Sequence, residues 1–96
     1  MAKGYWVSVY RRVNDPEKLA AYARLASEAV LAAGGRFIAR GVAVRAYDSG
    51  AMERTTIVEF DSVEAAIQCR EGEKYMRAVE ALGDAVERDF RIVEGC

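Results

Sequence analysis

The sequence predicts an α+β domain in which an antiparallel sheet has helices on one face. Three observations lead to this prediction. Alternating β-branched and aromatic residues near both ends of the chain, in YWVSVY and FRIV, are typical of strands. Two other stretches begin with helix-capping residues and continue with apolar residues at helical spacing. These elements follow one another in the order strand, helix, strand, strand, helix, strand.

The first strand and the first helix have clear sequence signals. GYWVSVYRR contains no breaker after Gly4, so we expect a strand over about residues 5–11. Asp15 and Pro16 are typical of a helix N-terminus, because an Asp side chain caps free amides and proline fits the first helical position. Gly34–Gly35 is expected to end this helix, since glycine enters the left-handed conformation without a steric cost.

The second strand changes its apolar face partway along. Its apolar positions are odd-numbered before Gly41 and even-numbered after it. A strand that stays on one core cannot exchange faces unless one extra residue is inserted. We therefore expect a bulge at Arg40–Gly41 and a strand that continues to about Tyr47.

The remaining segments complete the order of elements. RTTIVEF reads as the third strand, and Asp61 or Ser62 is expected to cap the second helix. This helix should break near Gly72, resume in EKYMRAVEALGDAVERD, and be followed by a short final strand, FRIVEG. The order favours a ferredoxin-like βαββαβ sandwich, an antiparallel sheet with both helices on one face, as a single domain over residues 1–96.

Such a sheet has one covered face and one bare face. We assign to the covered face Val7, Val9, Phe37, Val42, Val44, Val58 and Phe60. We assign to the open face Trp6, Ser8, Tyr10, Arg36, Ile38, Arg40, Ala43, Thr55, Ile57 and Glu59. Soluble monomers rarely expose an apolar patch of this size, so a second copy of the chain is expected to cover it in an isologous homodimer.

Composition argues against several classes of protein. The 14 basic and 15 acidic residues give a net charge of -1, which is unlike a nucleic-acid-binding surface. No apolar run approaches the length of a membrane span, and the two cysteines fit no metal or redox spacing. The absence of histidine removes the commonest general base and metal ligand. We expect a cytoplasmic protein without a metal, a cofactor, a nucleic-acid partner or a membrane partner.

Several quoted segments together resemble one bacterial family. KGYWVSVYRRVNDPEKLAAYA, GGRFIARG, IVEFDSVEAAIQ and the closing IVEG are similar to the family called domain of unknown function 1330 (DUF1330). The resemblance implies a dimeric α+β barrel and no assigned activity. The chain departs from the family pattern in two places. After the second helix begins, the family usually has an aromatic–x–Ser–Pro–x–Tyr element, whereas CREGEKY keeps Tyr75 but replaces the aromatic residue, the serine and the proline. Further on, Leu82 stands where the family tends to have arginine.

Arg40 and Glu59 are the charged residues that we expect to meet on the open face. A bulge at Gly41 and a tight hairpin would bring the two side chains together. One interpretation is a structural ion pair, because an unpaired buried charge is costly. The other is catalytic, with Arg40 holding a substrate carboxylate or enolate and Glu59 moving a proton.

Trp6, Ser8, Tyr10 and Tyr75 are candidates for lining a small pocket between the sheet and the helices, although ordinary core packing also explains them. Two functions remain open. The first is a homodimer that binds a small apolar or aromatic molecule beside the sheet. The second is a cofactor-independent isomerase or monooxygenase-like enzyme that uses Glu59 and Arg40, as some members of the superfamily resembled here do. Arg40 would lower the pKa of Glu59, which weighs against the second function.

Overall fold

The computed structural model describes residues 2–96 and confirms the ferredoxin-like fold. Its elements are β1 (Gly4–Val13), α1 (Pro16–Ala32), β2 (Arg36–Val42), β3 (Arg54–Phe60), α2 (Val63–Glu71), α3 (Glu73–Leu82) and β4 (Val86–Glu94). The strands form one antiparallel sheet in the order β2-β3-β1-β4. The backbone measures 35 × 30 × 15 Å, so the molecule is flat. One face of the sheet is bare, since Val9 of β1 and Val93 of β4 are exposed on it.

Local capping determines where α1 begins and ends, as predicted. The Asp15 carboxylate accepts hydrogen bonds from the amides of Glu17 and Lys18 at 3.1 and 3.2 Å. Pro16 occupies the first helical position. Gly34 follows the helix with a φ of 77°, a conformation that glycine adopts readily.

The second helical region is divided as expected but ends earlier. Ser62 is the capping residue of α2, since its hydroxyl accepts a hydrogen bond from the Ala65 amide at 3.0 Å. Gly72 separates α2 from α3. The expectation of helix as far as residue 89 was wrong, because Gly83 has a φ of 54° and reverses the chain, and β4 begins soon afterwards at Val86.

The two faces of β1 were assigned the wrong way round. Trp6, Ser8 and Tyr10 are buried beneath the helices, whereas Val7 and Val9 lie on the open face. An alternating strand fits either choice, and the wide gap between sheet and helices takes the larger aromatic side chains. The assignment of β3 was correct, because its even-numbered residues, which include Val58 and Phe60, face the core, while Thr55, Ile57 and Glu59 face away from it.

The bulge in β2 exists but lies earlier than predicted. The register shifts between Phe37 and Ala39, which makes Ile38 the extra residue. Arg40 therefore pairs with Thr56 and turns to the helix-covered face. The strand also ends at Val42 rather than near residue 47. This small displacement decides which arginine can meet Glu59.

Trp6 is the centre of the aromatic core. Its indole N–H donates to the Ala66 carbonyl at 2.9 Å, and its ring lies 4.8 Å from that of Tyr75, 5.0 Å from that of Phe60 and 5.2 Å from that of Phe90. Edge-on and tilted contacts of this kind stabilise a core beyond simple area burial. Two residues of this core, Trp6 and Phe90, also line the candidate site.

Candidate functional site

A cavity lies between the helix-covered face of the sheet and α1. Its volume is about 20 Å³, or about 380 Å³ when all unfilled space at its mouth, including open solvent, is counted. Aromatic, aliphatic and a few polar side chains line it: Trp6, Ser8, Tyr10, Tyr22, Ala23, Ala26, Ser27, Val30, Phe37, Arg40, Arg54, Thr56, Val58 and Phe90. None of these described lining residues is acidic.

Two buried polar atoms in the cavity wall lack a hydrogen-bond partner among residues 2–96. They are the Ser8 hydroxyl oxygen and the Arg54 Nε atom. Ser8 is 3% exposed, so its hydroxyl is shielded from bulk solvent. Buried polar atoms nearly always have a partner, and leaving one unpaired costs about 1–3 kcal/mol. The cavity is therefore the place where a water molecule or a ligand would satisfy both atoms.

Arg40 stands at the mouth of the cavity. Its guanidinium stacks 4.1 Å above the Phe37 ring, and Nη1 donates to the Ser27 hydroxyl at 3.1 Å. The residue is exposed, so the side chain can move without disturbing the core. These contacts hold a positive charge at the edge of an otherwise largely apolar opening.

A cluster of tyrosines around Arg88 lies beside the cavity. Arg88 donates to the hydroxyls of Tyr10 at 3.2 Å, Tyr22 at 2.9 Å and Tyr75 at 3.2 Å. Tyr22 and Tyr75 also share a hydrogen bond with each other. Burial, and then the neighbouring Tyr75, raise the pKa of Tyr22 well above its ordinary value, so this phenol keeps its proton.

Glu59 lies on the opposite face of the sheet and does not meet Arg40. Its carboxylate accepts hydrogen bonds from the Arg36 guanidinium at 2.9 Å and from the Tyr5 hydroxyl at 2.7 Å. The bond from Tyr5 and the bond from Arg36 lower the pKa of Glu59. Arg36 also forms an ion pair with Asp61 at 3.2 Å. The predicted pairing of Arg40 with Glu59 was wrong, because the bulge precedes Arg40 and turns it away.

The structure thus divides the sequence-predicted site residues into two groups. Trp6, Ser8, Tyr10 and Arg40 line one cavity, and Tyr75 lies directly behind Trp6 and Tyr22. Glu59 is not part of that arrangement. Their roles in ligand binding or catalysis stay predictions.

Sequence reasoning missed three residues at the site. Tyr22, on α1, and Arg54 and Arg88, on β3 and β4, were not among the predicted site residues. Arg54 shares the inward parity of Val58 and Phe60 on β3, and Arg88 shares that of Phe90 on β4. An arginine at a core-facing strand position was the signal that could have found both of them.

The departures from the family pattern lie in the CREGEKY segment and at Leu82. Leu82 is 4% exposed and Tyr75, which the chain keeps, is 0% exposed, whereas none of the replaced positions Arg70, Gly72 and Glu73 is buried. Gly72, in the CREGEKY segment, forms the break between α2 and α3. These positions shape the packing behind the cavity, and none of the described residues in CREGEKY lines it directly.

The fold and the cavity together define a ferredoxin-like α+β domain with a small aromatic site between sheet and helix. The chain belongs to the family described as domain of unknown function (DUF1330), which matches residues 3–96. No curated protein matches the chain. Of the helices in residues 2–96, none combines the length and the apolar character that crossing a membrane requires.

Solved structures with the same fold include proteins of unknown function. The RPA0582 protein from Rhodopseudomonas palustris has 19% sequence identity and a TM-score of 0.74, over 99% of this chain and 83% of that one. A dimeric ferredoxin-like protein of unknown function from Thermobifida fusca has 12% identity and a TM-score of 0.64, over 97% and 91% of the two chains.

An oxygenase also shares the fold. SnoaB, a cofactor-independent oxygenase from Streptomyces nogalater, has 12% identity and a TM-score of 0.62, over 95% of this chain and 90% of that one. At these identities the likeness establishes the fold alone. Activity has to be argued from the residues of the site.

Proposed function

We propose that this chain is a homodimeric binding protein that holds a small apolar or aromatic molecule in the cavity between the sheet and α1. The observation behind the proposal is the Ser8 hydroxyl, which is buried, lacks a partner among residues 2–96, and lies in an aromatic wall. Ligand sites typically combine an apolar lining with a few polar anchors. Ser8, Arg54 and Arg40 are the polar anchors available here.

The size of the cavity limits what can enter without movement. A volume of about 20 Å³ suits a single water molecule. Known ligand sites usually measure about 300–1,000 Å³, so side chains at the mouth must move before a molecule larger than water can enter. The ligand should therefore place a small group inside and its larger part at the mouth, where the exposed Arg40 side chain can shift.

The bare face of the sheet supports the homodimer. Val9 is 38% exposed, Val93 is 47% exposed and Ile38 is 56% exposed. Solved proteins with this fold include ones described as dimeric. A second copy laid on this face would bury the apolar residues and form a two-fold symmetric interface. The cytoplasmic location expected from the sequence stays a prediction.

The enzymatic alternative, a cofactor-independent isomerase or oxygenase using Glu59 and Arg40, has less support. Such a reaction needs a base beside the bound substrate. Glu59 lies on the other face of the sheet and is held ionised by Tyr5 and Arg36. Tyr22 retains its proton. We therefore favour binding over catalysis.

The sole tryptophan offers a direct test of ligand binding, because Trp6 lines the cavity. A panel of small aromatic and alicyclic compounds should include members that change Trp6 fluorescence in a saturable way and raise the melting temperature of the protein. Ser8→Ala should weaken this response, whereas the matched change Ser49→Ala, on an exposed turn, should not. A panel in which no compound alters the fluorescence or the melting temperature would contradict the proposal.

The homodimer is tested separately by sedimentation at micromolar concentration. Val9→Asp places a charge in the centre of the bare face and should yield monomers. Leu31→Asp changes a side chain that is 66% exposed on α1 and should leave the dimer intact. A wild-type chain that sediments as a monomer would refute the proposed assembly.

A further inference from the structure

We propose that the ligand is a small aromatic or apolar carboxylic acid, bound in its ionised form with its carboxylate between Arg54 and Ser8. This inference rests on the proposed function, since it names the chemical class of the molecule in the same cavity. Three features of the described residues lead to it: the distribution of charge partners, the register of the strands and the character of the walls.

The first feature is that arginines on the two faces of the sheet differ in their partners. Arg36, Arg12 and Arg91 each form a salt bridge with a carboxylate of the chain, at 2.9 to 3.0 Å. Arg40, Arg54 and Arg88 lie on the helix-covered face, and within residues 2–96 none of these three forms a salt bridge.

Their environment favours an anion. Arg88 is bonded to three phenol hydroxyls and Arg40 to one serine hydroxyl, and none of these four partners is a carboxylate. Partly buried guanidinium groups are stabilised by an opposite charge, and charge-assisted hydrogen bonds are the strong ones. The cavity therefore has an excess of positive charge that an anionic ligand would balance.

The second feature is the position of the two unpartnered atoms. Ser8 pairs with Thr56 across β1 and β3, and Arg54 lies two residues along β3 on the same face. Diagonal positions of this kind are about 7–8 Å apart, within reach of a long side chain. One small group with two acceptor oxygens can thus receive hydrogen bonds from the Ser8 hydroxyl and the Arg54 Nε.

The third feature separates a carboxylic acid from other anions. Trp6, Tyr10 and Phe90 are among the residues that line the same cavity. Their rings offer apolar contact to a ligand body, which an inorganic phosphate would leave unused even though Ser27, Arg40 and Thr56 add polar atoms to the lining. A carboxylate attached to a ring or a short apolar chain matches both the anchors and the wall.

Calorimetry and Trp6 fluorescence on the full chain test this inference with matched probes. Benzoate and phenylacetate should bind about tenfold or more tightly than benzamide and phenylacetamide, since a hydrogen bond to a charged group is worth at least that factor. Inorganic phosphate should bind more weakly than benzoate.

Variants locate the carboxylate. Arg54→Gln and Ser8→Ala should each weaken benzoate binding by about tenfold. Arg54→Lys keeps the charge but loses the planar fork, so its affinity should fall between those of wild type and Arg54→Gln. Arg24→Gln, an exposed position on α1, is the matched control and should leave the affinity unchanged. Should Arg54→Gln fail to fold, Arg54→Lys and Ser8→Ala still decide the matter.

The outcomes distinguish this inference from the proposed function. Equal binding of benzoate and benzamide would refute the carboxylate while leaving a ligand-binding cavity in place. Phosphate that binds as well as benzoate would also refute it, as would benzoate binding that Arg54→Gln and Ser8→Ala do not weaken. If no probe of any kind binds, the proposed function itself fails.

Discussion

Replacement of Ser8 by alanine should raise the stability of the protein without ligand. The side chain is 3% exposed and its hydroxyl has no hydrogen-bond partner among residues 2–96. An unpaired buried hydroxyl costs about 1–3 kcal/mol. The adjacent cavity of about 20 Å³ can hold a water molecule that satisfies part of this loss. We therefore take the lower end and expect the free energy of unfolding to increase by about 1 kcal/mol.

The assay is thermal and urea denaturation at a fixed protomer concentration, because a dimer's melting temperature depends on concentration. An increase of about 1 kcal/mol corresponds to a rise of about 4–8 °C for a domain of this size. Ser62→Ala is the matched control, since the same change there removes the cap of α2 and should cost about 1 kcal/mol. If Ser8→Ala destabilises the protein as Ser62→Ala does, the hydroxyl has a partner and the argument from an unsatisfied atom is wrong.

Two further predictions concern the open face and the packing of the sheet. The pKa of Glu59 is lowered in the folded protein, so the contribution of this carboxylate to stability is present above the unfolded pKa, about 4.3, and is lost as the pH falls through the folded pKa. When unfolding is measured at decreasing pH, Glu59→Gln should therefore lose less stability than wild type. Equal curves for the two proteins would contradict the bonds assigned to Glu59. Gly35→Ala would place a methyl group 2.8 Å from side-chain atoms of both Phe60 and Val30, so it should lower the free energy of unfolding in urea by about 1–3 kcal/mol. Gly41→Ala is the control and should change stability little, because nothing lies within 4 Å of the added methyl group. Similar values for the two variants would refute this description of the packing.

Much of the architecture follows from local signals in the sequence. The start of α1 depends on Asp15 and Pro16, which act within one turn of the backbone, and its end depends on the Gly34–Gly35 pair. The break at Gly72 is local as well. Such features do not depend on distant contacts, so the order of elements and the ferredoxin-like fold could be predicted.

The candidate site depends on choices that no local signal makes. The alternation of β1 is equally consistent with either face pointing inward, and only packing against the helices places Trp6 and Ser8 in the core. The position of the β2 bulge, at Ile38 instead of Gly41, is decided by pairing with β3. That shift of register sends Arg40 to the cavity and leaves Glu59 to Arg36. Caps, breakers and periodicity act over a few residues, so they are enough to predict which elements form and in what order. Which face of each strand points to the core is settled only in the folded molecule, because a strand with period two has two equivalent orientations until something packs against it.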